Sequence, residues 1–224
     1  MSKLERLKKE ALEEHIPIIM DDTLNKIYEI CDNRKFKRIL EIGTAVGYSA
    51  ICFSKLLNEE GKIDTIERDE ERANKATENF KKFKLEDKIN LFIGDAVEIL
   101  PTLNNKYDFI FIDASKGKYP FFFEQALRLL DKDGIIFADN ILYKGYVLSD
   151  YNKHKQRTAV THLREYIKMA TENEKVKTEI LDVGDGLAVT RFSKNHFNDF
   201  LSHQDSLVQQ ANELLNIMQW TTNQ

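Results

Sequence analysis

This chain of 224 residues is poor in cysteine, carries no excess of positive charge and has no long apolar run. Its two cysteines, Cys31 and Cys52, are too few for a disulfide framework and lack CxxC spacing, which fits reduced thiols in a cytosolic protein rather than a zinc site. The longest apolar stretches, FIFI at 109–112 and GIIFA at 134–138, fall well short of the ~20 residues of a membrane span. The opening MSKLERLKKEALEEH is charged throughout, without the apolar segment and small-residue cleavage site of a secretory signal. A soluble, cytoplasmic protein with no membrane partner is expected. Against 37 acidic residues stand 33 basic ones, a net charge of -4, which excludes a surface coated in positive charge while leaving room for a local basic patch. Lys and Arg are missing altogether from 195–224.

What is present is 42% hydrophobic and 31% charged, enough apolar material for one ordinary domain with an appendage, and too much for global disorder. Short β-branched or aromatic runs alternate with helix-period segments from Arg38 to Phe192. Strands are expected at 38–42, 62–66, 89–93, 109–113, 134–139, 176–182 and 187–192, with helices at 47–58, 69–83, 95–103, 120–131 and 155–173. Unbroken apolar runs such as FIFI suit strands buried on both faces, so the fold class is α/β: a Rossmann-like, mostly parallel sheet with helices on both faces. Only VGDG separates the last two strands, which makes them an antiparallel hairpin. Two amphipathic helices are expected ahead of the sheet, from the spacing of Leu4, Leu7, Ala11 and Leu12 and of Leu24, Ile27 and Ile30. Residues 1–194 read as the catalytic domain. The stripe Phe197, Phe200, Leu201, Leu207, Val208, Ala211, Leu214, Leu215 and Met218 marks 195–224 as an amphipathic helical tail seeking a partner surface.

The first strand runs into EIGTAVGYSA at 41–50, where Gly43 and Gly47 bracket a turn that opens a helix. A dinucleotide site uses GxGxxG and places pyrophosphate at the helix N-terminus, whereas this turn has two glycines and an acid, Glu41, directly before them. A carboxylate disfavours a phosphate but suits a sulfonium and its ammonium group. The next strand ends at Glu67, where an acid commonly holds ribose hydroxyls, and the third ends in GDA, placing Asp95 and Ala96 against an adenine. Glu67 also suits a helix dipole and Asp95 a helix N-cap. Taken in order along successive strand ends, these residues point to an adenosine-bearing, phosphate-free cofactor, S-adenosylmethionine. The fourth and fifth strands end in FIDASKGKYPFFF and FADNILYKG, bringing Asp113, Asp139 and Asn140 to the same rim. Three oxygen ligands without Cys or His suit a hard cation, Mg²⁺ or Mn²⁺. Lys116, three residues past Asp113, is a candidate general base or oxyanion-stabilising cation.

EIGTAVGYSA, TIERDEE, GDA, FIDASKGKY, DNxLxxG and VGDGLAV together resemble the cation-dependent O-methyltransferase family that includes the catechol and caffeoyl-CoA enzymes. The resemblance implies a seven-stranded sheet with an antiparallel last strand, cofactor contacts from Met20, Glu41, Gly43, Tyr48, Ser49, Glu67, Asp95, Ala96 and Asp113, a metal held by Asp113, Asp139 and Asn140, and Lys116 with Asp113 as the catalytic pair. KGKYPFFF and the N-terminal HIPIIMDD look most like the bacterial tRNA 5-hydroxyuridine methyltransferases. Ser115 departs from the DADK of many small-molecule members by removing one carboxylate.

On that likeness the expected reaction is methylation of the 5-hydroxyl of wobble 5-hydroxyuridine, with the anticodon region of tRNA as partner; a small-molecule catechol-type acceptor is the alternative. Within 141–157, Lys144, Lys153, Lys155 and Arg157 face only Asp150, a local charge of +3. With Lys118 they form a candidate RNA-binding rim, and Tyr143, Tyr146 and Tyr151 are interleaved for base stacking. The tail stripe is expected to pack on the domain or across a homodimer.

Overall fold

The computed structural model describes residues 1–149 and 157–193. Two helices, α1 (Lys3–Glu13) and α2 (Asp21–Cys31), precede a regular alternation: β1 (Phe36–Ile42), α3 (Tyr48–Phe53), β2 (Leu57–Glu67), α4 (Glu70–Lys82), β3 (Ile89–Ile93), α5 (Ala96–Ile99), β4 (Tyr107–Ile112), α6 (Tyr119–Leu129), β5 (Leu130–Ala138), α7 (Arg157–Glu172), β6 (Val176–Leu181) and β7 (Leu187–Phe192). Local chemistry fixes several of these boundaries. Ser2 and Glu5 form a capping box at the start of α1, and Asp69 caps α4 through the Arg72 amide at 2.9 Å.

Three elements differ from the expectation: β5 begins at Leu130 rather than at 134, its first residue pairing with Tyr107, and two helices are shorter. The helix foreseen over 47–58 stops at Phe53, passes through a 3-10 turn at Ser54–Leu56, and gives way early to β2, whose first residue Leu57 pairs with Phe36. A register irregularity between Phe36 and Arg38 takes up the extra residues of β2. The helix foreseen over 95–103 is a single turn, α5, followed by a 3-10 turn containing Pro101, which has no N–H to extend the α ladder.

The sheet has seven strands in the order β3-β2-β1-β4-β5-β7-β6. β7 runs antiparallel to both of its neighbours, β5 and β6, while the other pairs are parallel. The expected architecture and its terminal hairpin are therefore present. Strand order reverses between β1 and β4, which opens a crevice beyond their carboxyl ends.

Side-chain alternation divides the sheet into two faces. Ile39 of β1, Ile63 of β2, Phe109 and Phe111 of β4, and Ile135 and Phe137 of β5 pack with α1 to α4. Their even-numbered neighbours Leu40, Ile42, Ile66, Ile110, Ile112, Ile136 and Ala138 pack with α5 to α7. Phe109 centres the first core, with ring centroids 5.2 Å from Phe36, 5.0 Å from Phe53 and 5.1 Å from Phe137. Tyr166 centres the second, 5.6 Å from Tyr119 and 5.3 Å from Phe123. By the same alternation Glu41, Thr65 and Glu67, and beyond the strand ends Asp113 and Asp139, fall on the α3 side. No helix among the described residues is long and apolar enough to cross a membrane. The 195–224 tail, with its stripe and Trp220, lies outside the described residues, as do Asp150, Tyr151, Lys153 and Lys155.

Candidate functional site

A cavity of about 570 Å³ occupies the crevice, within the range that accepts a cofactor-sized ligand. Its centre is the meeting of two strand ends. Gly43 leaves β1 with φ 104°, and a Cβ there would lie 2.1 Å from the Asp113 carbonyl oxygen. Only glycine permits that backbone-to-backbone approach. Gly47 opens α3 with φ 84°, and a Cβ there would meet the Phe80 ring at 2.5 Å, so this second glycine sets the packing of α3 against α4.

Of the residues expected around a cofactor, Met20, Gly43, Tyr48, Ser49, Glu67, Asp95, Ala96 and Asp113 line this one cavity. Glu67 is nearly buried and each of its oxygens accepts one backbone N–H, from Ala45 at 2.8 Å and from Asp69 at 2.9 Å. It thereby ties the glycine turn to the start of α4 and keeps lone pairs for a ligand. Asp95 serves both anticipated roles in part: it caps α5 through the Val97 amide at 2.9 Å and stands on the cavity wall.

Glu41 is placed differently from the expectation, since it does not line the cavity. It is fully buried beneath it, with Oε1 accepting from the Ser49 hydroxyl at 2.5 Å and Oε2 from the Thr65 hydroxyl at 2.6 Å. Thr44 completes the chain at 2.6 Å from Thr65. The strand alternation is the reason: Glu41 points into the α3 layer, and Ser49, on the first turn of α3, stands between it and the cavity. Burial pushes the Glu41 carboxyl up to about 8 against the pull of its two hydroxyl donors, and the carboxylates of Asp113 and Glu67 add to the rise.

Two of the three expected metal ligands, Asp113 and Asn140, meet one lysine through their side chains, and Asp139, which does not line the cavity, meets it through its backbone carbonyl. Lys116 Nζ donates to Asp113 Oδ1 at 2.9 Å and to Asn140 Oδ1 at 3.1 Å, and lies 3.3 Å from the Asp139 carbonyl. Asp139 is 1% exposed and its Oδ1 accepts the Asn140 N–H at 2.7 Å. Burial, and then the neighbouring Asp113, push Asp139 up to about 7, while the Asn140 amide and Lys116 act in the opposite sense. Asn140 itself has φ 55°, a left-handed conformation that asparagine tolerates better than most residues. Among the described residues no group of three or more His, Cys, Asp or Glu side chains is arranged to hold a metal ion. The set here is two carboxylates and an amide oxygen. All three donors are oxygens, a set that fits a hard divalent cation.

Sequence reasoning passed over three residues that organise this rim. Tyr119, one helical turn past Lys116, is fully buried; its hydroxyl accepts from Lys116 at 2.7 Å and donates to the Asp139 carbonyl at 2.7 Å. The KGKY spacing was its signal. Arg164 of α7 donates to the carbonyls of Val147 at 3.0 Å and Ser149 at 2.6 Å, and Asp185, inside VGDG, accepts the Lys144 amide at 2.5 Å. These three hydrogen bonds fasten the 140–149 segment, and no local pattern in the sequence announces contacts of such separation. Lys118 lines the cavity, joined there by Arg68 and Arg72, while Lys144 and Arg157 are exposed. Tyr143 and Tyr146, expected to be available for bases, stack edge to face on each other at 5.9 Å.

Residues 4–193 match the profile of the O-methyltransferase family. A catechol O-methyltransferase of Niastella koreensis is 36% identical over 151 residues, 66% of this chain and 67% of its own. A caffeoyl-CoA O-methyltransferase of Populus kitakamiensis is 32% identical over 163 residues, 69% of each chain. The O-methyltransferase TomG of Streptomyces achromogenes, involved in tomaymycin synthesis and solved in complex with SAM, superposes with a TM-score of 0.77 at 25% identity, covering 86% of this chain and 91% of its own. Site geometry, topology and kinship agree, and the chain belongs to the O-methyltransferase family.

Proposed function

We propose that this protein is an S-adenosylmethionine-dependent O-methyltransferase acting on one of two vicinal oxygens of a small acceptor of the catechol or caffeoyl-CoA kind, with a divalent cation at Asp113, Asp139 and Asn140. The observation that carries the reading is the convergence of the Asp113 and Asn140 side-chain oxygens on one point, Lys116 Nζ, in a cavity that is also lined by Gly43, Ser49, Glu67, Asp95 and Ala96. The kinship with catechol and caffeoyl-CoA enzymes and the SAM complex of TomG support it.

When bound, S-adenosylmethionine supplies an electrophilic methyl group, and a divalent cation supplies a compact positive charge that favours an ionised acceptor hydroxyl. The chain's own residues orient the two partners. Glu67 offers its remaining lone pairs to ribose hydroxyls, Asp95 and Ala96 face the adenine end, and Met20 and Tyr48 close the wall. Glu41 acts through Ser49, fixing that hydroxyl from below. Lys116 holds its ammonium beside the ionising hydroxyl and stabilises the oxyanion, and the Gly43–Asp113 contact keeps cofactor wall and acceptor floor in register.

A second reading, methylation of wobble 5-hydroxyuridine in tRNA, keeps the same acceptor chemistry, because the C5 hydroxyl and C4 carbonyl are also vicinal oxygens. One observation favours it: Arg68, Arg72 and Lys118 put three further cationic side chains on the cavity lining, where a polynucleotide backbone gains from them. Methyl transfer from labelled cofactor to catechol, to caffeoyl-CoA and to tRNA from a strain lacking the gene separates the two. Turnover on the phenolic acceptors with none on tRNA is expected; turnover confined to tRNA, falling steeply with salt, overturns the small-molecule reading.

A further inference from the structure

Lys116 sits where the proposed metal ligands converge. Four oxygens lie within 3.3 Å of its Nζ: Asp113 Oδ1, Asn140 Oδ1, the Asp139 carbonyl and the Tyr119 hydroxyl. An ammonium has three hydrogens, so four acceptors surround it as they would an ion rather than saturate it as a donor. Two of the four, Asp113 and Asn140, are the side-chain oxygens assigned to the cation. The other hold is of a different kind. Tyr119 is fully buried, donates its own proton to the Asp139 carbonyl, and so presents a lone pair to Lys116, while its ring centroid lies 4.8 Å from Nζ.

We infer that Lys116 is the resident counter-cation of the cation-free site, and that a divalent cation binds by displacing its ammonium from Asp113 and Asn140 onto Tyr119. The inference rests on the metal reading above. Two cations cannot share the same pair of oxygens in a half-buried site, because like charges at that range repel strongly where water is scarce. The lysine is the partner able to yield: its four-carbon stem is flexible, whereas Tyr119 is locked against Tyr166 and the strand-end carbonyl. Displacement removes two acceptors and leaves the Tyr119 hydroxyl, the Asp139 carbonyl and the aromatic face. Tyr119 is thus a positioning residue that retains the ammonium at the edge of the acceptor floor once the cation is in place.

Two measurements on the full chain test this. Mn²⁺ binding, followed by calorimetry or by the signal of free Mn²⁺ in electron paramagnetic resonance, is compared between the wild type and Lys116→Gln. Acylation of Lys116 by a small amine-directed reagent, quantified by mass spectrometry, is measured in the wild type with and without Mn²⁺. The expected results are at least tenfold tighter Mn²⁺ binding by the variant and a severalfold rise in Lys116 acylation when Mn²⁺ is added. Equal or weaker binding by the variant overturns the inference and leaves the metal reading standing, as does unchanged Lys116 acylation while the wild type binds Mn²⁺. Absence of Mn²⁺ binding by both folded proteins overturns the metal reading, and this inference with it. Should Lys116→Gln fail to fold, the acylation of the wild type decides alone.

Discussion

Replacing Glu41 by Gln removes a buried titratable acid while keeping the shape, with the amide oxygen accepting from one neighbouring hydroxyl and the amide nitrogen donating to the other. The side chain is fully buried, and its carboxyl is raised from an ordinary 4.5 to about 8. Between those two values the folded protein keeps a proton that the unfolded chain has already released. Stability therefore falls as pH rises through that window and levels off above about pH 8. One pKa unit corresponds to about 1.4 kcal/mol, which gives a ceiling of about 5 kcal/mol across the window. Relaxation around a buried charge, as the higher effective dielectric of real interiors implies, narrows the window and brings the expected total to roughly 2–4 kcal/mol. That remains a sizeable share of a domain stability of about 5–15 kcal/mol. Asp139, raised to about 7, contributes a slope of the same sign in both proteins and cancels in the difference. Urea unfolding of cofactor-free wild type and Glu41→Gln from about pH 5 to about pH 9 provides the assay. The variant should gain on the wild type steadily up to about pH 8 and hold its advantage above. Parallel curves would show that Glu41 is not the buried acid described here.

Further outcomes follow from the same geometry. Chelation should abolish methyl transfer and Mg²⁺ should restore it, while Asp139→Ala should lose turnover but retain most of its affinity for S-adenosylhomocysteine by calorimetry. Gly43→Ala forces a Cβ within 2.1 Å of the Asp113 carbonyl at φ 104°, so it should cost about 1–3 kcal/mol in denaturant unfolding and weaken cofactor binding as well. Arg164→Ala frees the carbonyls of Val147 and Ser149, and limited proteolysis should cut the 140–149 segment faster with little change in the unfolding midpoint of the whole domain.

The fold was legible because each signal was local. β-branched runs of strand length, helix-period spacers and the VGDG hairpin together sufficed for a parallel sheet with an antiparallel last strand. The early start of β2 arises from tertiary pairing, since nothing near Leu57 shows that Phe36 waits beside it, whereas the early end of α5 follows from Pro101, a local signal. In the site, residues at strand ends were readable because the fold delivers every such end to one rim. Glu41 was assigned to the cavity by its nearness to the glycine turn, and the intervening Ser49 became visible only once strand and helix were in place. Tyr119 stood in a quoted motif without a role, since its partner is a carbonyl twenty positions along the chain. Arg164 and Asp185 likewise act through contacts distant in sequence, and a single sequence gives no sign of them.

The shared parity of Glu41, Glu67, Asp113 and Asp139 makes the site behave like a reading frame. Deleting one residue inside β1, β2, β4 or β5 carries that strand's acid across the sheet, into the apolar layer around Phe123 and Tyr166. Removing two restores the side and merely shortens the strand. The turns beyond the strand ends obey no such frame. The spacing inside the strands is therefore fixed to the residue, while past β4 and β5 it is the contacts of Lys116, Tyr119 and Asn140 that limit how the turns can change.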